Sequence, residues 1–125
     1  MANEQILTWY GRNESWTKEL RELIAKKDPS GFVTMRLGTK WADRLNPGTR
    51  IALSISDNPQ QPNVIGHARV RTAKKGVIRM LDTVELTNNI GANTREGVLA
   101  AMQEVYQDPA INMDSTITVL DLVPE

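Results

Sequence analysis

Apolar residues recur at helical spacing early in the chain, where Trp16, Leu20, Leu23 and Ile24 form one stripe. The spacing predicts a helix over about 15–27, with the Ser15 hydroxyl capping its first turn. Asp28-Pro29-Ser30-Gly31 ends it, because proline cannot continue a helix and glycine permits the turn. The period then changes from helical to alternating. In residues 32–37, Val33, Met35 and Leu37 share one face while Thr34 and Arg36 share the other. Residues 50–56 place Ile51, Leu53 and Ile55 together, and residues 65–72 set Ala68 and Val70 against His67, Arg69 and Arg71. Between them Asp57-Asn58-Pro59-Gln60-Gln61-Pro62-Asn63 reads as a polar loop. Residues 77–86 are mostly apolar and read as a longer, partly buried strand.

A second helix is predicted over about 94–107, with Asn93 as its cap and Glu96 completing a capping box. Val98, Leu99, Met102, Val105 and Tyr106 form its inward stripe. Residues 115–122 are strongly β-favouring. Strands fill the middle and helices bracket them, which predicts an α+β domain with a small, mostly antiparallel sheet or barrel. Val33, Met35, Ile51, Leu53, Ile55, Ala68, Val70, Ile117 and Val119 are expected in one barrel core, covered by Leu20, Leu23, Leu99 and Met102. Residues 37–45 read either as a short helical turn or as a loop.

Composition narrows the chemistry. The 125 residues, 40% hydrophobic and 24% charged, suit one domain. The absence of cysteine excludes disulfides, thiolate zinc sites and cysteine nucleophiles. No apolar run approaches the roughly 20 residues of a membrane span. Met1-Ala2-Asn3-Glu4-Gln5 lacks the basic and apolar regions of a signal peptide, so a cytoplasmic location is expected. Net charge is zero but unevenly placed. Residues 36–79 hold nine basic residues against two acidic, and residues 80–125 hold one against eight. Either the middle segment meets an anion, or the two segments pair with each other in space.

Catalytic signals are sparse. His67 is the single histidine, has no nucleophile-elbow motif beside it, and reads as an ordinary polar strand position. The acidic residues are too spread for a metal site, and Gly91 and Gly97 are isolated rather than part of a phosphate loop. No metal or cofactor is expected. Anion binding has more support. Arg36, Lys40 and Arg44 lie four apart with Trp41 among them, and Arg69 and Arg71 share a strand face that Lys74 and Lys75 extend. Guanidinium groups suit phosphate, and tryptophan stacks on bases. The alternative is a set of solvated surface charges around a structural Trp41.

The ordered pieces resemble an ASCH domain of the PUA-like superfamily. They are the helix Lys18-Glu19-Leu20-Arg21-Glu22-Leu23-Ile24-Ala25, then Val33-Thr34-Met35-Arg36, then Asn46-Pro47-Gly48-Thr49-Arg50-Ile51. Ile65-Gly66-His67-Ala68-Arg69-Val70 and the final strand through Leu122 complete the set, over residues 18–122. The resemblance implies a small β-barrel with two flanking helices. It makes residues 1–125 a single ASCH/PUA-like domain, with 1–14 as an N-terminal extension. It also implies RNA or nucleobase binding in a cleft beside the barrel, and some members are hydrolases of N4-acetylcytidine. The family motif is Gly-x-Lys with an arginine five residues after the lysine. Arg36 matches the arginine, and Thr34 the threonine two residues before it. The lysine position holds Gly31 and the glycine position Pro29, while Gly38-Thr39-Lys40 repeats the first half with Arg44 one residue too near. Lys26 and Lys27 lie just upstream. Asn88-Asn89-Ile90-Gly91-Ala92-Asn93 stands where the hydrolases carry an acid, without a carboxylate.

These readings converge on an RNA- or nucleotide-binding domain without catalysis. Arg36, Lys40, Arg44, Arg69 and Arg71 are expected on phosphate, Trp41 on a base, and Thr34 on a base edge or sugar. One alternative is a hydrolase of a modified nucleoside or of RNA, using Thr34, Arg36 and a displaced Lys27 or Lys40. The other is a protein-interaction module that docks through the acidic segment.

Overall fold

The computed structural model describes residues 5–58 and 60–125. Residues 1–4, most of the start read for a signal peptide, and Pro59 of the polar loop lie outside the described residues. The elements run β1 (Ile6–Trp9), α1 (Glu14–Lys26), β2 (Phe32–Leu37), α2 (Lys40–Arg44), β3 (Arg50–Ile55), β4 (Val64–Val77), a 3-10 turn (Ile78–Met80), α3 (Thr83–Asn88), α4 (Arg95–Val105) and β5 (Thr116–Pro124). One five-stranded sheet has the order β1-β3-β4-β5-β2. β1 lies parallel to β3, and every other pairing is antiparallel. The fold is α+β.

Several local expectations change for identifiable reasons. β1 falls inside the segment read as an N-terminal extension, because four residues are too few to display a period. Residues 78–88 are a 3-10 turn and a helix rather than a strand. Asp82 and Glu85 form a reciprocal capping box there, Asp82 accepting from the Glu85 amide at 2.7 Å and Glu85 from the Asp82 amide at 3.0 Å. That local pairing outweighs the apolar composition. β4 continues through Lys74 and Lys75 to Val77, beyond the strand expected over residues 65–72. The caps also move. Asn13, not Ser15, precedes α1, and Thr94, not Asn93, caps α4 by accepting from the Gly97 amide at 3.0 Å. Residues 40–44 settle as a short helix.

The barrel is not closed. β1 and β2 are the two edges of the sheet, yet their side chains meet. The Trp9 and Phe32 rings are 6.5 Å apart, and Arg36 Nη1 donates to the Thr8 carbonyl at 2.8 Å. The register shift between Val70 and Thr72 adds the twist that brings the edges round. An open seam remains between them, spanned by side chains and not by a backbone ladder.

The core is divided rather than single. Inner residues of all five strands, among them Leu7, Phe32, Leu53, Val70 and Leu122, form one cluster with Leu20 of α1. Val33, Ile117 and Val119 form another with Val98 and Met102 of α4, with Met35 packed at its margin. The expected inward face of β2 and of the start of β5 is therefore the α4 face. Phe32, Thr34 and Arg36 look toward the seam, opposite Leu122, Leu120 and Thr118. Both faces of these strands are covered, so alternation separates the two faces without saying which is inside.

Candidate functional site

A cavity of about 240 Å³ opens along the seam. β1 contributes Thr8 and Trp9 with Tyr10 just beyond it, β2 contributes Thr34 and Arg36, and α4 closes the far side with Tyr106 following its end. α1 supplies Trp16, which approaches because Gly91 carries no side chain: a Cβ there would lie 2.8 Å from the indole ring. α2 turns Trp41 inward. The Ile90 amide donates to the Val33 carbonyl at 2.9 Å, which docks the Asn89–Ala92 wall against the edge of β2. All three tryptophans and both tyrosines of the chain line this one cavity.

Among the described residues Arg36 is the sole charged residue lining the cavity, and no carboxylate, lysine or histidine joins it there. Its guanidinium lies 4.6 Å over the Trp9 ring and donates to the Thr8 carbonyl. Desolvation pushes its pKa down to about 10, with the nearby Tyr106 and Tyr10 opposing that shift. It is still a cation at neutral pH. Two further cations rest on lining aromatics: Arg12 lies 4.8 Å over Tyr10, and Lys40 Nζ 5.3 Å over Trp41. The cavity is thus an aromatic pocket around one cation, with exposed cations beside it.

The sequence-predicted residues divide between two places. Thr34, Arg36 and Trp41 line the cavity, Lys40 lies beside it on Trp41, and Arg44 is exposed on the same short helix. Arg69 and Arg71 lie outside it. Arg69 pairs with Glu125, and Arg71 donates to both oxygens of Asp121 at 2.9 and 2.8 Å and to the Ser30 carbonyl. Lys74 pairs with Glu85, Lys75 with Asp43, Arg79 with Asp114, and Arg50 with Glu125. Most of the basic segment thus neutralises the acidic one. Trp9, Tyr10, Arg12, Trp16, Asn89 and Tyr106 were not expected at the site. The run Ile6-Leu7-Thr8-Trp9-Tyr10 before Gly11 carried a strand signal that could have placed the first two.

This ion-pair belt predicts an acid limit. Arg50's hydrogen bond, with the charges of Arg69 and Arg50, holds the Glu125 carboxyl below its ordinary value, and Arg79 does the same for Asp114. A carboxyl depressed in the folded state stabilises it above the unfolded pKa, and that contribution is lost as pH falls through the folded value. The Tm is therefore expected to hold from neutral pH to about pH 5 and to decline below about pH 4. High salt, or Glu125→Gln, should shrink the decline in a melting series because these groups are exposed.

Gly31 stands where the resemblance to ASCH domains leads one to expect a lysine. Its φ is +76°, and a Cβ would lie 2.4 Å from the Leu122 carbonyl oxygen. Lys26 and Lys27 are exposed at the end of α1 and are not among the lining residues. Among the described residues no cluster of three metal-ligating side chains occurs, and no helix is long and apolar enough to cross a membrane.

The chain is similar to protein EF3133 from Enterococcus faecalis V583, of family DUF984, with a TM-score of 0.63 at 12% identity, over all of this chain and 78% of that one. It is also similar to an ASCH domain from Lactobacillus crispatus JV V101, with a TM-score of 0.52 at 10% identity, over 95% of this chain and 79% of that one. No family model and no curated protein matches the sequence. The likeness is one of fold, and the fold is ASCH-like.

Proposed function

We propose that this ASCH-like domain binds RNA or a nucleotide-like ligand, with one base held in the seam cavity. The observation that carries the reading is Arg36: the one cation, with no carboxylate beside it, among the described residues of a pocket walled by every Trp and Tyr of the chain. A planar ring stacks on such walls, and an uncompensated guanidinium attracts an acceptor-bearing or anionic partner. Thr34, Arg36 and Trp41 contact the base in this reading. Lys40 and Arg44 take the phosphate side, and Arg69 and Arg71 serve the ion-pair belt. Binding is favoured over hydrolysis because general acid–base chemistry near neutral pH is served best by a carboxyl or imidazole within reach. Among the described residues no Asp, Glu, His or Lys lines the cavity, whose titratable side chains are Arg36, Tyr10 and Tyr106.

Fluorescence anisotropy with a short single-stranded RNA, repeated at several salt concentrations, tests this. Two phosphates on Lys40 and Arg44 give a log–log salt slope of about −1.4. Lys40→Ala should make it shallower by about 0.7. Trp41→Ala should cost roughly 1–3 kcal/mol with the slope unchanged. Lys18→Ala, on the exposed face of α1, is the control and should match wild type. Absence of binding to both RNA and mononucleotides at low salt would defeat the reading and favour an interaction module. Release of acetate from N4-acetylcytidine above a no-enzyme control would favour the hydrolase.

A further inference from the structure

We infer that the cavity prefers a base with a carbonyl edge, uracil or guanine, over the amino bases cytosine and adenine. This preference rests on the nucleotide-binding reading above and adds to it which ring edge is read. The cavity's unpartnered polar groups are mainly donors. A guanidinium carries five N–H groups. Arg36 gives the Thr8 carbonyl a bond from Nη1, and among the described residues its fork has no carboxylate to satisfy it. Trp9 is 5% exposed and its indole N–H donates to no described residue. Thr34 is 4% exposed and its hydroxyl makes no hydrogen bond with a described residue. Neither atom is sealed away from solvent, and both residues line the cavity. Both side chains are buried except toward the cavity, so whatever fills the cavity, solvent or ligand, supplies their partners. They lie together: Thr34 and Arg36 share a face of β2, and Arg36 stacks on Trp9.

Acceptors are fewer. The Thr8 carbonyl already serves Arg36, and the Tyr106 hydroxyl accepts from the Leu37 amide at 3.0 Å. Asn89 is buried and spends its amide N–H on the Ala92 carbonyl at 2.8 Å, which leaves its side-chain oxygen. Asn13 and Tyr10 can act either way. An exocyclic amine of cytosine or adenine would set donor against donor at the Arg36 fork. O4 of uracil, or O6 and N7 of guanine, accepts from it instead. A ring N–H flanking such a carbonyl suits the one spare Asn89 oxygen.

Isothermal titration calorimetry of the full chain with UMP, GMP, CMP and AMP isolates the base, because all four carry the same phosphate. UMP or GMP, whichever fits the cavity's size better, should bind at least about tenfold more tightly than either amino nucleotide. Thr34→Val, nearly isosteric, should narrow that ratio chiefly by weakening the favoured ligand, with melting curves confirming that the variant is folded. Equal or tighter binding of CMP or AMP overturns the preference and leaves nucleotide binding standing. No binding of any of the four, together with none of RNA, overturns both.

Discussion

Arg36→Met is expected to weaken ligand binding by roughly 10- to 100-fold while leaving the fold as stable as before, or up to about 1 kcal/mol more so. The two effects separate because of what Arg36 touches. Its protein partners are a backbone carbonyl and an indole face, with no carboxylate among the lining residues. Burial already works against its charge, as its lowered pKa records. Methionine removes the desolvated cation and leaves a flexible apolar side chain beside Trp9. A hydrogen bond to a charged group contributes about 1.5–3 kcal/mol, so affinity should fall by roughly 10- to 100-fold. Urea unfolding and calorimetry on the same preparation read both quantities. A stability loss of more than about 2 kcal/mol with binding intact would make Arg36 a clamp across the seam and remove it from the site.

Gly31→Ala should destabilise the protein by about 2–4 kcal/mol, among the larger effects open to a single methyl group. Two costs add. The backbone at Gly31 has φ +76°, which penalises any residue with a Cβ. The added Cβ would also lie 2.4 Å from the Leu122 carbonyl oxygen, and Leu122 pairs with Phe32 in the β2–β5 ladder. Leu122 belongs to β5, held on both sides by β4 and β2, and its backbone cannot give way as a flexible side chain can. For a domain of this size each kcal/mol shifts Tm by about 3–6 °C, so thermal melting resolves the change readily. Gly31→Lys should suffer at least the same penalty. Placing a lysine at this position, where the resemblance to ASCH domains leads one to expect it, is then a structural problem before it is a catalytic one. A neutral Gly31→Ala would mean that the turn can reopen and seat a side chain.

The helices α1 and α4 and four of the five strands were legible because each is written in local period, and local period follows from backbone geometry alone. The stretch 78–88 misled because its apolar count suits a strand, while the Asp82–Glu85 pairing that fixes it as helical is one short polar signal. β1 was missed for a different reason: its four residues, Ile6–Trp9, are too few to display a period of their own. Without β1 there is no seam, and without the seam no reason to bring Trp9 and Tyr10 to the same place as Trp41.

The sequence by itself determined the α+β class, most element positions, and the presence of Thr34, Arg36 and Trp41 as candidates. Tertiary structure decided the rest. It chose which face of β2 looks inward, because both faces are covered and alternation is symmetric between them. It left the sheet open between β1 and β2, which a count of strands cannot reveal. It decided which charges remain for a ligand, since Arg50, Arg69, Arg71, Lys74 and Arg79 found carboxylates in the last 45 residues or so while Arg36 met only a carbonyl and an indole. Coulomb pairing and desolvation depend on distance and burial in space, and residues remote along the chain acquire both only when the sheet curls them together.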